Sequence, residues 1–360
     1  MVNSETFQTP SLQRCKKLSL DKNKTPVQNP TASESSENFK TPSNPSKKRR
    51  FSKNSLTPLL IPPSPCMEKL GYGTGVNVYL IERFSPSRNM YKSPWAVKKL
   101  NSRVESNPAF KARLEDETKV LKTLNHPNII GFRSEGRSSD GNICLLMESG
   151  QKSLGDLIEE RLEQEAGPFS SEDILKVAKA LCSALHYLHE EAHLLHGDLK
   201  SSNVLVKDNF SAIKICDFGV TLKLDDKLTV DPPDSCYIGT ECWSAPEVVM
   251  FETITHKTDM FSFGLILWEM IALCPPHHDK LDIDPNLLKD CTEEEIEEME
   301  MEAEKEYEKA LGTRPGLPDV ALDSSYNKIL EIYYLCTEDD PSRRPSAKQI
   351  LDSYFTEQKS

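Results

Sequence analysis

No apolar run in this 360-residue sequence is long enough to cross a bilayer. The longest, Phe261 to Cys274, is interrupted by Glu269 and falls short of the roughly 20 residues a spanning helix needs. Met1 to Pro10 lacks the apolar centre of a secretory signal. Ten cysteines are present, yet no two form a C-x-x-C pair, so zinc-site spacing is missing. Thiols scattered in this way are expected to be reduced, as in a soluble cytosolic or nuclear protein. Aromatic residues are scarce between 1 and 63, where only Phe7, Phe39 and Phe51 occur. A segment so poor in apolar mass cannot offset the entropy of ordering its chain, so residues 1–63 are expected to be a disordered tail.

That tail carries charge and phosphorylatable residues instead. Its first 60 residues hold eleven Lys/Arg against four Asp/Glu, and Lys47-Lys48-Arg49-Arg50 is a basic cluster. Thr9, Thr25, Thr41 and Thr57 each precede a proline, and Ser64-Pro65 adds a fifth such site. Two readings stand side by side: a solvated linker, or a regulatory tail with proline-directed phosphosites and a nuclear import signal. A phosphate adds about −1.5 to −2 charges, so modification of Thr41 offsets part of the basic cluster. The opposite imbalance lies at 279–309, where fourteen Asp/Glu face four Lys. This acidic insert is expected to hold an exposed helix over Thr292–Lys309, either as a solvated face or as a surface for basic partners. The overall net charge of −12 averages these two blocks and identifies no partner.

From about Met67 the pattern becomes that of a packed domain, expected over 64–355. Met67–Tyr72, Asn77–Arg83, Trp95–Leu100 and Ile143–Glu148 read as strands. Ala109–Leu124 has helical periodicity, and so do Ser153–Glu165, Ser171–Glu191, Lys257–Leu273, Ser325–Cys336 and Ala347–Phe355. The expectation is an α+β fold of two lobes, a strand-rich one over about 64–148 and a helical one over about 151–355.

Chemistry-bearing residues follow one another in a fixed order. Gly71-Tyr72-Gly73-Thr74-Gly75-Val76-Asn77-Val78 lies between two strands, where glycines let backbone N–H groups approach phosphate oxygens. Its third regular glycine position holds Val76, and Gly75 comes one place early. Trp95-Ala96-Val97-Lys98 matches V-A-I-K, whose lysine holds the α- and β-phosphates. Glu117, on the next helix, is placed to pair with Lys98. In His196-Gly197-Asp198-Leu199-Lys200-Ser201-Ser202-Asn203, Asp198 would accept a hydroxyl proton, Lys200 would stabilise the γ-phosphoryl charge and Asn203 would supply an oxygen to Mg²⁺. Asp217-Phe218-Gly219 supplies a second Mg²⁺ ligand in Asp217, and Ala245-Pro246-Glu247 closes the loop that follows. Phosphoryl transfer needs mainly positioning and charge stabilisation, and these groups offer both.

In this order and at these spacings the motifs resemble the eukaryotic protein kinase family over about Met67 to Tyr354. The resemblance implies ATP and Mg²⁺ as cofactors, bound in a cleft between the lobes. Nucleotide contacts are then expected from Gly71, Tyr72, Gly73, Thr74, Gly75, Val76, Val78, Ala96 and Lys98, with Met147 as gatekeeper and Glu148 to Gly150 as hinge. It also implies a structural pair between Arg344 and Glu247. Ser93 to Lys99, His196-Gly197-Asp198, Phe39 to Ser43 and Cys236 to Thr240 are similar to a mitotic branch of the family. That branch lies near the dual-specificity kinases that activate MAP kinases. It implies transfer to Ser/Thr, with Tyr left open, and cytoplasmic and nuclear residence. It also implies tail phosphorylation by a cyclin-dependent kinase, at Thr9 or Thr41. Protein substrates are expected, with no nucleic-acid or membrane partner. A PDZ partner is disfavoured, because Ser360 is polar where such a ligand offers an apolar last residue.

Departures from the pattern leave alternatives open. Gly197 replaces the arginine of H-R-D, which grips a phosphate on the activation loop in many kinases, so less dependence on loop phosphorylation is expected. H-G-D with an asparagine five places on also occurs in small-molecule phosphotransferases, but the D-F-G, A-P-E and Arg344 motifs belong to a protein-substrate platform. A pseudokinase scaffold is the other alternative, against which Lys98, Asp198 and Asp217 are all present. His186, His189 and His193 fall at helical spacing and are expected to pack or meet solvent rather than hold a metal.

Overall fold

The computed structural model describes residues 59–60, 68–73, 75–85, 90–138, 141–149, 152–283 and 291–356. The expectations for Thr9, Thr41, Thr74, Gly150 and Ser360, and for nearly all of the tail, lie outside these residues.

Six strands form the first sheet: β1 (Leu59–Leu60), β2 (Glu68–Gly73), β3 (Val76–Ser85), β4 (Met90–Leu100), β5 (Phe132–Arg137) and β6 (Ile143–Glu148). Their order across the sheet is β1-β5-β6-β4-β3-β2. All neighbours are antiparallel except β1, which runs parallel to β5 with Leu59 opposite Gly136. Strand β1 falls inside the segment expected to be a disordered tail. Its two leucines belong to an apolar run, Leu59-Leu60-Ile61, that the rest of the tail does not possess.

Residues alternate between the two faces of β4, as the pleat requires. Val97 packs with Cys144 and Leu146 on one face, whereas Ala96 and Leu100 join Leu145 and Met147 on the other. Lys98 shares the parity of Ala96 and Leu100 and is therefore carried to the inner face. Helix α1 (Pro108–Thr123) crosses that face. Asn107 caps it by accepting from the Ala109 N–H, and Pro108 occupies its first turn. Its buried stripe is Leu114, Glu117, Thr118 and Leu121. A glutamate on an otherwise inward-facing stripe must find a cation.

The remainder is mostly helical, with β7 (Lys152–Ser153), α2 (Leu154–Glu163) and α3 (Ser171–His186), which runs on as a wider turn over Tyr187–Glu191. Strands β8 (Leu194–Leu195), β9 (Val204–Lys207), β10 (Ala212–Ile215) and β11 (Leu222–Lys223) come next. β8 pairs with β11 and β9 with β10, both antiparallel, so the loop 196–203 lies beside the segment 216–221. After α4 (Pro246–Val249), helix α5 (Lys257–Ala272) is buried from Thr258 to Ile271. A helix covered on every side is the centre of its lobe, and α3, α7 (Asn327–Cys336) and α8 (Ala347–Tyr354) join its core. Between α5 and α7 lies α6 (Glu293–Ala310), opened by a Thr292/Glu295 capping box and without a buried residue. It is the exposed acidic helix that the charge run predicts.

Candidate active site

Lys98 is the hub where the two lobes meet. Its ammonium donates to Glu117 at 2.9 Å and to Asp217 at 2.8 Å. Lys98 and Glu117 are both buried, so the pair stands out of water. Burial disfavours the charged lysine, but the two carboxylates overcome it and hold Lys98 above its ordinary range. Burial likewise opposes ionisation of Asp217, but Lys98 and the Gly219 N–H outweigh it and set its carboxyl near about 2. Glu117 is pushed upward by burial and by the Asp217 charge, against the pull of Lys98. Asp217 also has a left-handed backbone, with φ of 67°. A non-glycine residue held there stores strain, of order 1–3 kcal/mol, that the surrounding contacts must offset.

A second cluster forms around Asp198. Lys200 Nζ lies 2.9 Å from Asp198 Oδ2. The Asn203 amide donates to the Asp198 carbonyl at 2.7 Å and to its carboxylate at 3.1 Å. The carbonyl of Asn203 in turn accepts from Cys216 N–H at 3.0 Å, which ties this loop to the residue preceding Asp217. Two buried groups hold the loop from below. Asp259 accepts from the backbone N–H groups of His196 and Gly197 at 2.8 and 3.0 Å and bonds His189 at 2.8 Å. Burial opposes its ionisation, but those contacts keep its carboxyl below the ordinary range. His196 Nε2 bonds the Cys216 carbonyl at 3.1 Å, so one residue touches both segments.

The glycine segment forms a tight hairpin, with Gly73 opposite Val76. Gly75 occupies its turn with φ of 78°, and a Cβ there would lie 2.5 Å from the Phe110 ring. Only glycine fits, which accounts for its place one residue early. Val76 and Val78 are partly buried against the cluster that holds Ala96 and Met147. Ala96 stands opposite Met147 in the sheet. Glu148 is fixed through its carboxylate by Lys214 at 2.8 Å, by Arg133 at 2.9 Å and by the Gly131 N–H at 2.9 Å.

Six of the expected residues thus converge in two linked clusters, Lys98–Glu117–Asp217 and Asp198–Lys200–Asn203, while Glu148 stands apart beside Lys214 and Arg133. Three residues make contacts to this site that the sequence reading did not assign. Thr240 donates from its hydroxyl to Asp198 at 2.6 Å and from its N–H at 2.9 Å, and accepts from Lys200 at 2.6 Å. Arg113 donates to the Gly219 carbonyl at 3.0 Å. It lies one helical turn before Glu117, on the same face, and that spacing was the available signal. His189 was expected to pack rather than hold a metal, and it is indeed buried, with Asp259 as the specific partner that helical spacing did not single out. Arg344 and Glu247 meet in a buried fork, with both contacts at 2.8 Å.

Among the described residues no three His, Cys, Asp or Glu side chains converge as a metal cage. No helix of these residues is long and apolar enough to cross a membrane. Residues 66–356 match the family model for the protein kinase domain. The chain is 48% identical over 324 residues to the human lymphokine-activated killer T-cell-originated protein kinase, covering 89% of this chain and 98% of that protein. It is 31% identical over 231 residues to the serine/threonine-protein kinase CLA4 of Eremothecium gossypii, across 60% of this chain but only 28% of that protein. It is 30% identical over 239 residues to the dual specificity protein kinase shkD of Dictyostelium discoideum, across 65% of this chain and 28% of that protein.

Proposed function

The chain belongs to the protein kinase family, and on that premise we propose that it transfers the γ-phosphoryl group of ATP to serine and threonine hydroxyls of protein substrates. The observation that carries this reading is the junction of the two charged clusters, with a strand lysine held between Glu117 and Asp217 beside a loop that presents Asp198, Lys200 and Asn203.

The residues present fit the nucleotide and its metal. Mg²⁺ is usually held by one or two carboxylates together with substrate phosphates and waters, and Asp217 and Asn203 would supply its protein ligands here. Asp217 offers an ionised carboxylate at neutral pH. With the Asn203 amide nitrogen committed to Asp198, its amide oxygen is the group it has to offer a cation. When bound, Mg·ATP supplies the phosphoryl group and neutralises its developing charge. Lys98 is assigned to the α- and β-phosphates, and Glu117 to aiming it. Asp198 orients the acceptor hydroxyl and takes its proton, while Lys200 faces the transferring group. The bond from Thr240 to Asp198 keeps that carboxylate in one rotamer. Adenine is assigned to the apolar surface of Val78, Ala96 and Met147, beside the hinge of Glu148 to Gly150. Gly71 to Val76 are assigned to the phosphates. We assign the catalytic domain to about 64–355 and regulation to the tail, where Thr9 and Thr41 are the sites for a mitotic proline-directed kinase. Signalling of the mitotic and MAP-kinase type, in cytoplasm and nucleus, belongs to the same reading.

The test is Mg²⁺-dependent transfer from ATP to a basic protein by wild type, Asp198→Ala and Lys98→Met. Activity in wild type that both substitutions abolish is the expected result. An inactive wild type, even after treatment with a proline-directed kinase, overturns the reading.

A further inference from the structure

We propose that Tyr237 is the positioning residue that seats the activation segment, residues 217–247, on the catalytic loop, an inference that rests on the kinase reading above. Gly197 is where the argument begins. It stands in the arginine position of H-R-D and is buried, with φ of 78°. A Cβ placed on it would lie 3.0 Å from the Val220 carbonyl oxygen and 3.9 Å from Tyr237 Cε2. A side chain there would be strained by the left-handed backbone and tight against the Val220 carbonyl, while its Cβ would sit in van der Waals contact with the Tyr237 ring.

Gly239 closes on the same ring. A Cβ at Gly239 would lie 2.4 Å from Tyr237 Cε1, 2.7 Å from its Oη and 2.8 Å from the Gly197 carbonyl oxygen. Tyr237 therefore fills the space between two glycine backbones, one in the catalytic loop and one in the activation segment. The ring also packs against an apolar cluster of Leu195, Leu224 and Val230, joined by Leu222 and Ile254. Burial, with the nearby carboxylates of Asp259, Asp198 and Glu247, pushes its phenol upward, so the ring is neutral at physiological pH.

The consequence falls on the next residue. Thr240 follows Gly239 and makes the bonds to Asp198 and Lys200. A ring wedged against Gly239 fixes where Thr240 presents its hydroxyl, and hence where Asp198 points. In H-R-D kinases a loop phosphate gripped by arginine can do this ordering. Here a neutral ring on a bare backbone does it, and Gly197 is the residue that admits the ring. Restoring the arginine therefore strains a left-handed backbone and crowds the Val220 carbonyl beside the ring instead of supplying an anchor.

The experiment uses the full chain and compares wild type with Tyr237→Phe, Tyr237→Ala and Gly197→Arg. It reads kcat, KM for a basic protein and affinity for a non-hydrolysable ATP analogue. Tyr237→Phe keeps the ring, and its kcat is expected to stay within about threefold of wild type. Tyr237→Ala is expected to lose about 10²-fold in kcat, the scale of a misplaced catalytic group, with nucleotide affinity unchanged. Gly197→Arg is expected to lose kcat likewise. A Tyr237→Ala enzyme with wild-type kcat overturns the proposal, and so does a Gly197→Arg enzyme more active than wild type. Should Tyr237→Ala lose its thermal transition, Tyr237→Leu, which keeps apolar volume without the ring, takes its place, and wild-type kcat in a folded Tyr237→Leu overturns the proposal. Loss of kcat in a folded Tyr237→Phe also overturns it, because the hydroxyl and not the packed ring would then be what matters. A wild type that transfers no phosphate defeats the kinase reading itself, and is told apart by the same assay.

Discussion

Replacing Lys98 by Met should cost this protein about 10²–10⁴-fold in kcat. Each carboxylate lies within 2.9 Å of the ammonium. At an effective dielectric of about 20, a pair at that distance gains roughly 6 kcal/mol before desolvation. Removing one partner from a buried pair usually costs about 3–5 kcal/mol of stability, because a charge is left unpaired. The kcat range stated corresponds instead to about 3–5 kcal/mol of charge stabilisation lost at the transferring phosphates, at about 1.36 kcal/mol per factor of ten. Methionine matches the length of the stem, so packing is kept while the charge goes. Arginine restores charge but not geometry. Its planar fork does not reproduce a compact ammonium between two carboxylates, so Lys98→Arg should also be impaired. Lys122→Met, which removes an exposed contact to Glu135, serves as the control and should match wild type. The assay is Mg²⁺-dependent transfer to a basic protein, with analogue binding measured in parallel. A Lys98→Met enzyme within tenfold of wild-type kcat would refute the assignment of Lys98 as the electrostatic hub.

Asp198→Asn should lower kcat by about 10²–10⁴-fold with nucleotide affinity kept, as read by steady-state kinetics and analogue titration. Arg344→Ala leaves Glu247 buried and unpaired, and should destabilise the protein by about 3–5 kcal/mol in urea unfolding. The double substitution Arg344→Met with Glu247→Leu should cost less than the single one, and the opposite order would defeat that argument. Glu269 is buried, accepts from Ser201 and Trp243, and has its carboxyl pushed up to about 8 by burial, with Glu159 adding to the rise. Its folded form holds a proton that the unfolded chain releases above the ordinary carboxylate range. Its contribution to stability therefore falls as pH rises through that range to about 8, by up to about 1.4 kcal/mol per pH unit. Glu269→Gln should flatten that slope in unfolding measured across pH 5 to 8.

The chemistry was legible in the sequence because each catalytic type is rare in its local setting. A lysine on an apolar strand and an aspartate before Phe-Gly stand out without a structure, and both meet where their order implies. Element types were legible for the same reason, since α1 and α5 have long, regular burial patterns. What stayed hidden were contacts between segments whose partners lie far apart in the chain. Thr240 is 42 residues from Asp198, and Arg113 is 106 residues from Gly219. A threonine in a polar loop carries no periodic signal, so only the fold selects it. His189 was hidden differently. Helical spacing grouped it with two other histidines, and only burial beside Asp259 separates it from them. Strand β1 escaped because two leucines are too short a run to outweigh the polar tail around them.

The start of the catalytic loop and the end of the activation segment share one foundation, helix α5. Asp259 at its first turn holds the backbone of His196 and Gly197, and thereby the start of the catalytic loop. Glu269, about three turns on, accepts from Ser201 at the other end of that loop, at 2.6 Å. The same Glu269 accepts from Trp243, and Ser262 donates to the Trp243 carbonyl at 2.8 Å, so the end of the activation segment rests there too. Thr258 donates to Glu247 at 2.8 Å, which connects the Arg344 fork to the helix. A helix with no exposed face could have been built from apolar residues alone, at lower desolvation cost. Asp259, Glu269, Thr258 and Ser262 are instead the points from which the catalytic loop and the end of the activation segment are held in register. Stability and activity are therefore coupled along α5. A substitution at Glu269 should alter the placement of Ser201 and Trp243 as well as the unfolding curve, whereas an equally buried Ile266→Val should move the unfolding curve alone.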